Sequence, residues 1–325
     1  MKAIVFTEYG SPDRLRLGDV PKPVPRDDEV LVRVRASSIN AWDWEFLSGT
    51  TLINRLFYGL VRPKPAKRVL GADIAGTIEA VGSAVTRFQP GDDVYGDLSD
   101  RWGGFAEYAC APENSLERKP ANLSFADAAA VPQAGVLAWQ GLRCGRPVGP
   151  GQAVLINGAG GGVGTFAVQL AHRAGADVTG VDAGHKLDAV RACGADHVID
   201  FAAADFTRTG RHYDLIVDVH GHRAMSEYKR ALAPTGTYAM VGGRLPRILQ
   251  ALVMGLWGMV THEGRRIRVV AAGPNKGLAE LTALLEAGEI TPVVDGRYPL
   301  DEVPAAFRHF VEGLHKGKVV ITIAS

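Results

Sequence analysis

The sequence predicts an α/β chain made of a β-rich part and a doubly wound parallel sheet, and three observations predict it. Short β-like runs separated by Gly, Pro and Asp turns fill the first part. From Ala153 onward, continuous apolar runs alternate with helical patterns. Between the first of those runs and the first of those helices lies a glycine-rich turn, "NGAGGGVG". At 325 residues, one large or two ordinary domains are expected.

In "EVLVRVRAS", Val30, Val32 and Val34 alternate with Leu31, Arg33 and Arg35, the period of a half-buried strand. "AGTIEAVGSAV", "GDDVYGD" and "FAEYACAP" follow at the spacing of a barrel or sandwich-like domain. Farther on, "AVLIN", "DVTGV", "HVID", "DLIVDV", "TYAMV" and "RVVAA" read as strands, and "VGTFAVQLAHRAG", "KLDAVRACG" and "AMSEYKRALAP" as connecting helices. Apolar strands joined by amphipathic helices imply a parallel sheet covered on both faces. One further helix, "GLAELTALLEAG", precedes a β-like ending, "KVVITIAS", which the pattern returns to the first part. The predicted domains are 1–125 with 273–325, and 126–272.

Composition narrows the function. Lys and Arg number 36 against 35 Asp and Glu, and no basic run tracks a phosphate backbone, which argues against nucleic acid as a partner. Cys110, Cys144 and Cys193 are too few and too scattered for a disulfide framework and fit a reducing compartment. "MKAIVFTEYG" lacks the basic flank and apolar core of an export signal, so a cytoplasmic location is expected. The longest apolar run, Ile248 to Val260, is shorter than the ~20 residues that cross a bilayer, which leaves pocket lid, subunit interface or membrane contact as its uses.

The glycine turn carries the strongest chemical signal. Ala159, Gly161 and Gly164 form an A-x-G-x-x-G variant of the dinucleotide fingerprint, after a strand and at the head of a helix. Glycines there allow a tight turn, close approach of a pyrophosphate and close helix packing, while the helix N-terminus offers unpaired N–H groups. The predicted contacts run through Ala159, Gly160, Gly161, Gly162, Val163 and Gly164. Asp182 ends the second strand, where an acid accepts from the ribose hydroxyls of NAD and repels a 2′-phosphate. His185 and Lys186 follow closely and could neutralise such a phosphate, so these residues leave NADH and NADPH both open.

Several blocks in one order, "SSINAWDWEFLSG", "LGADIAGTIEAVGSAVTRFQPGDDVYG", "GGFAEYACAP", "GAGGGVGTFAVQLA", "RACGADHVIDF" and "GKVVITI", resemble the medium-chain dehydrogenase/reductase superfamily, in its zinc-free quinone oxidoreductase and enone reductase branch. The resemblance implies a GroES-like catalytic domain interrupted by a Rossmann domain, a nicotinamide in the cleft between them, NADPH slightly over NADH, and a homodimer. It also implies cofactor contacts at Val219, Gly242, Gly243 and Asn275. In zinc-dependent relatives the metal is held at places that here carry Asn40, Ala72 with Asp73, and Gln133 or Ala134. One carboxylate and two amides do not supply the about three converging N, S or O ligands of a catalytic zinc. His220 and His222 stand two apart without a third ligand in view, so no metal is expected.

Without a Lewis acid, conjugate reduction is the more accessible chemistry, because the charge spreads into an enolate or hydroquinone anion that hydrogen-bond donors can stabilise. The expected activity is NAD(P)H-dependent hydride transfer to quinones or to the C=C of α,β-unsaturated carbonyls. A metal-free alcohol dehydrogenase and a nucleotide-binding module with little turnover are the alternatives. Asn40 is the candidate catalytic donor. Trp42, Glu45, Tyr58 and Trp102 are candidate substrate-lining residues, within an aromatic set that also includes Trp44, Phe46 and Phe57. Glu45 stands where many quinone reductases of the branch carry Tyr or Lys, so protonation from water is expected. The predicted substrate is a small hydrophobic carbonyl or quinone.

Overall fold

The computed structural model describes residues 1–51, 55–56, 58–260 and 264–324; Phe57 lies outside them. In chain order the elements are β1 (Lys2–Val5), β2 (Arg16–Asp19), β3 (Glu29–Ser38), α1 (Ala41–Ser48), β4 (Asp73–Val81), β5 (Asp93–Asp97), β6 (Tyr108–Pro112), β7 (Glu117–Arg118), α2 (Phe125–Ala129) and α3 (Pro132–Leu142). There follow β8 (Ala153–Asn157), α4 (Gly162–Arg173), β9 (Asp177–Asp182), α5 (Leu187–Ala192), β10 (His197–Asp200), β11 (Tyr213–Asp218), α6 (Met225–Ala231), β12 (Leu232–Met240), α7 (Leu245–Val260) and β13 (Arg266–Val269). The chain closes with α8 (Leu278–Glu286), β14 (Val294–Pro299), α9 (Val303–Val311) and β15 (Lys318–Thr322). Two compact units result: Met1–Gln133 with Pro274–Ala287 and Pro292–Ser325, and Ala134–Gly273 with Gly288–Thr291.

The first unit is organised on β3. Its alternating valines bury Val30, Val32 and Val34 against Ile74, Ile78, Val94 and Phe105. Strand β4 pairs along one edge of β3, while β6 and β15 pair successively along the other, so one long strand joins a seven-stranded sheet in the order β14-β15-β3-β4-β5-β7 with β6 alongside. Irregularities in the β3–β4 register bend the sheet, as bulges do. The register also sets one polar row: Ser38 opposes Asp73, Asp73 opposes Asp97, and Val320, two residues after Lys318, opposes Ser38.

The second unit is a wholly parallel six-stranded sheet in the order β10-β9-β8-β11-β12-β13. This is the doubly wound order 3-2-1-4-5-6, whose connections reverse between the first and fourth strands, here β8 and β11. Leu155, Val181, Ile216, Tyr238 and Met240 form part of its core. The last strand is Arg266–Val269, two residues earlier than the run "RVVAA" suggests, because β12 offers ladder partners only through Met240.

Candidate active site

The glycine turn is built by what its neighbours leave no room for. Gly158 takes φ 88°, and a Cβ there would meet the His220 ring at 2.7 Å. At Gly164 a Cβ would meet the Gly158 carbonyl oxygen at 2.0 Å, so the third glycine of the fingerprint lets α4 seat on the turn. Gly160 is covered by Lys186, whose Cβ lies 2.7 Å from the place of a Cβ. Gly161 differs. Its φ of −87° suits any residue, and the nearest atom to an added Cβ is 3.6 Å away. Folding does not require glycine there; the open space at the head of a twelve-residue helix is a cradle that a side chain would fill. The loop therefore fits a dinucleotide.

Asp182 and Lys186 are both buried beside this loop. The Asp182 carboxylate accepts from Gly160 N–H at 2.7 Å through one oxygen and from Ala183 N–H at 2.8 Å through the other. The Lys186 ammonium lies 4.0 Å from it, and His185 is exposed. Val219, Gly242 and Gly243 gather near the start of the loop: Val219 packs on Gly158, and a Cβ on Gly242 would meet the Val219 carbonyl at 2.6 Å. Asn275 belongs to the first unit instead. Its side-chain oxygen accepts from Asp97 N–H and its amide donates to the Asp97 carbonyl, each at 2.8 Å, from a backbone at φ 59°.

In the first unit the polar row converges on Asp73, which is fully buried. One carboxylate oxygen accepts from Ser38 Oγ at 3.0 Å, Asn40 Nδ2 at 3.0 Å and Lys318 Nζ at 3.3 Å; the other accepts from Gln133 N–H at 2.9 Å. Lys318 also donates to the Ile39 carbonyl and the Asn40 side-chain oxygen. Asn40 caps α1, and Asp43 in the first turn accepts from Asn40 N–H at 2.8 Å and from Gly71 N–H at 2.9 Å. Burial pushes the Asp43 carboxyl up to about 7 against the pull of those two N–H groups, with the Asp73 charge adding to the rise. Burial, and then Asp73, raise Asp97 as well.

Four donors, one of them an ammonium, already occupy Asp73, and Asn40 is bound at both ends of its amide. A zinc ion would have to displace Lys318 and would gain no thiolate or imidazole, so this donor set does not fit the metal. Among the described residues no three His, Cys, Asp or Glu side chains are grouped to hold a metal ion.

Tyr58 and Trp102 come together through Phe46, with ring centroids 3.9 Å and 4.7 Å from it. Trp102 is buried at φ 67°, and its indole N–H has no hydrogen-bond partner among the described residues. Trp42 and Glu45 are exposed on α1. Asp43, Asp97 and Lys318 are the site residues that sequence reasoning missed. The N-x-x-D spacing of a capping box was a signal for Asp43, whereas the other two depend on strand register.

Two family descriptions match the chain. Residues 26–121 match the alcohol dehydrogenase GroES-like domain, and residues 193–321 match the zinc-binding dehydrogenase domain. The chain belongs to the medium-chain dehydrogenase/reductase superfamily of oxidoreductases, in its quinone oxidoreductase branch. It is 34% identical to the 2-methylene-furan-3-one reductase of Solanum lycopersicum and 33% identical to an NADPH-dependent alkenal/one oxidoreductase, chloroplastic, of Arabidopsis thaliana. Each alignment covers 99% of this chain and 79% of the relative. A quinone oxidoreductase from Coxiella burnetii superposes with a TM-score of 0.88 at 28% identity, over 100% of this chain and 99% of that one.

Proposed function

We propose that this protein is an NAD(P)H-dependent reductase that delivers hydride to quinones or to the β-carbon of α,β-unsaturated carbonyls without a catalytic metal. The observation that carries the reading is the closed Asp73–Lys318–Asn40 cluster at the place where zinc-dependent relatives hold their metal. The nicotinamide supplies the hydride when bound. Residues 159–164 would enclose the pyrophosphate, with the N–H groups of Gly162, Val163 and Gly164 at the head of α4 as its donors, since those of Ala159, Gly160 and Gly161 are held by Val181, Asp182 and Gly158; Val219, Gly242 and Gly243 would bound the same site. Asn275 would offer the cofactor its backbone, since its amide oxygen and nitrogen both hold Asp97.

NADPH is the proposed cofactor. Both Asp182 oxygens face backbone N–H groups of the loop, which supports a clamping role for the carboxylate over acceptance from a ribose. Lys186 and the exposed His185 would then take a 2′-phosphate. Asn40 keeps a second amide proton for a substrate carbonyl, and Trp42, Tyr58 and Trp102 would stack on a planar acceptor, with Glu45 at the rim. A small hydrophobic acceptor and protonation of the enolate by water complete the reading.

We also propose a homodimer. Among the described residues strand β13 pairs with β12 alone, leaving an open sheet edge, and next to it α7 exposes Leu249, Val253, Leu256 and Trp257, each by more than half. No helix among the described residues is long and apolar enough to cross a membrane. The three cysteines are unpaired, in support of a reducing compartment such as the cytoplasm.

The test is isotopic. Reduction of an enone with NADPH deuterated at the transferable position should place deuterium on the β-carbon, as read by NMR. Deuterium on the carbonyl carbon, giving an allylic alcohol, would replace conjugate reduction with alcohol dehydrogenase chemistry.

A further inference from the structure

Strands β8 and β11 flank the reversal of the second sheet, and their last residues, Asn157 and Asp218, stand opposite each other in register. Asp218 is fully buried. One of its carboxylate oxygens accepts from Asn157 Nδ2 at 2.8 Å, His220 N–H at 3.1 Å and Gly221 N–H at 3.0 Å, and the other from the Tyr238 hydroxyl at 2.6 Å. All four donors are neutral. The Asp218 carbonyl in turn accepts from Val241 N–H at 2.8 Å, and Val219 N–H donates to the Asn157 carbonyl at 3.0 Å.

These bonds tie together three segments that are separate in sequence. Asn157 precedes the glycine loop, His220 and Gly221 form the turn after β11, and Val241 leads into Gly242 and Gly243. The segments also touch: a Cβ on Gly158 would strike His220, and a Cβ on Gly221 would lie 2.5 Å from the Gly242 carbonyl. A buried carboxylate with no ion pair among the described residues needs its donors fixed. Fixing them aligns the glycine loop with the turn at 219–221 and, through Tyr238 of β12 and the Asp218 carbonyl, with the turn at 241–243, at the switch point where sheets of this kind bind their ligands.

We propose that Asp218 is a positioning residue for the dinucleotide, setting the relative placement of the glycine loop, the turn at 219–221 and the turn at 241–243. This rests on the cofactor reading above. In Asp218→Ala the side chain of Asn157, the turn at His220 and Gly221 and the Tyr238 hydroxyl of β12 lose their common acceptor, while the Val241 bond to the backbone carbonyl of residue 218 remains. In Asp218→Asn the amide oxygen can still accept from Asn157 and the two N–H groups, while the amide N–H turns toward the Tyr238 oxygen. Phe206→Leu, a change to a fully buried side chain outside these segments, provides a variant destabilised without loosening them.

The experiment measures the NADPH Kd by fluorescence titration and the melting temperature of each intact variant, together with the cofactor KM and kcat on a responsive acceptor. Asp218→Ala should raise Kd and KM by about tenfold or more, with kcat at saturation held within about threefold, and Asp218→Asn should restore most of the affinity. Phe206→Leu should lose melting temperature yet keep its Kd. If Asp218→Ala does not fold, Asn157→Ala severs only the tie to the glycine loop and should still weaken binding about fivefold. Wild-type affinity in folded Asp218→Ala or in Asn157→Ala, or an equal loss of affinity in Phe206→Leu, would overturn the proposal. Failure of the unmodified protein to bind either dinucleotide would overturn the cofactor reading and this inference with it.

Discussion

Replacing Gly161 by valine separates binding from folding at the glycine loop. The backbone there, at φ −87° and ψ −179°, suits a β-branched residue, and the nearest atom to a new Cβ is 3.6 Å away. Stability should change by no more than about 0.5 kcal/mol, the range of an unstrained surface substitution. The isopropyl group would fill the cradle and displace a phosphate from the N–H groups at the head of α4. Losing two hydrogen bonds to a charged group, at about 1.5–3 kcal/mol each, weakens binding by roughly 3–6 kcal/mol, or at least about a hundredfold. Calorimetric titration with NADPH, beside a melting curve, measures both quantities. Unchanged affinity in a variant that melts like the parent would refute the loop assignment. Gly164→Ala is the converse case: its methyl group would lie 2.0 Å from the Gly158 carbonyl oxygen, so it should lose stability before it loses a ligand.

Other perturbations test separate parts of the account. Lys186→Ala should weaken NADPH by about tenfold and leave NADH nearly unchanged; an equal loss of both would remove Lys186 from 2′-phosphate recognition. Asp73→Asn leaves the Lys318 ammonium buried without its counter-charge and should cost about 3–5 kcal/mol, part of which Lys318→Met should return in the double variant; additive losses in denaturant melts would contradict the pairing. Asp43 is raised in the folded state to about 7 from the 3.8 of a free carboxyl, so the folded protein binds the extra proton between those values. Its stabilising contribution is therefore greatest at low pH and is lost as pH rises toward 7, by up to about 1.4 kcal/mol per unit. The melting temperature should fall from about pH 5.5 to about pH 7, and fall less in Asp43→Asn; the same slope in both would remove Asp43 as its source.

Local pattern made much of the fold legible. The alternation at Val30, Val32 and Val34, the apolar runs of the parallel sheet and the A-x-G-x-x-G turn are encoded within a few residues of one another, and the strands lie on those runs except the last, which is shifted to Arg266–Val269. The polar cluster is encoded otherwise. Lys318 and Asp73 are 245 residues apart and meet because β15 pairs with β3 and β3 with β4. No periodicity within either strand announces that register. Asp182 was legible as the acid ending the second strand, but the direction of its carboxylate, toward Gly160 N–H, depends on a loop conformation that composition does not carry. The helix Val303–Val311 escaped notice because its proline sits in the first turn, where helices tolerate it.

The central claim is metal-free conjugate reduction, and steady-state oxidation of NADPH and NADH against a panel of quinones, enones, saturated ketones and simple alcohols tests it most directly. The account predicts turnover with the conjugated acceptors alone, a preference for NADPH, and rates unaffected by a chelator. Alcohol-dependent reduction of NADP⁺ or NAD⁺, or activity that a chelator abolishes and zinc restores, would contradict it.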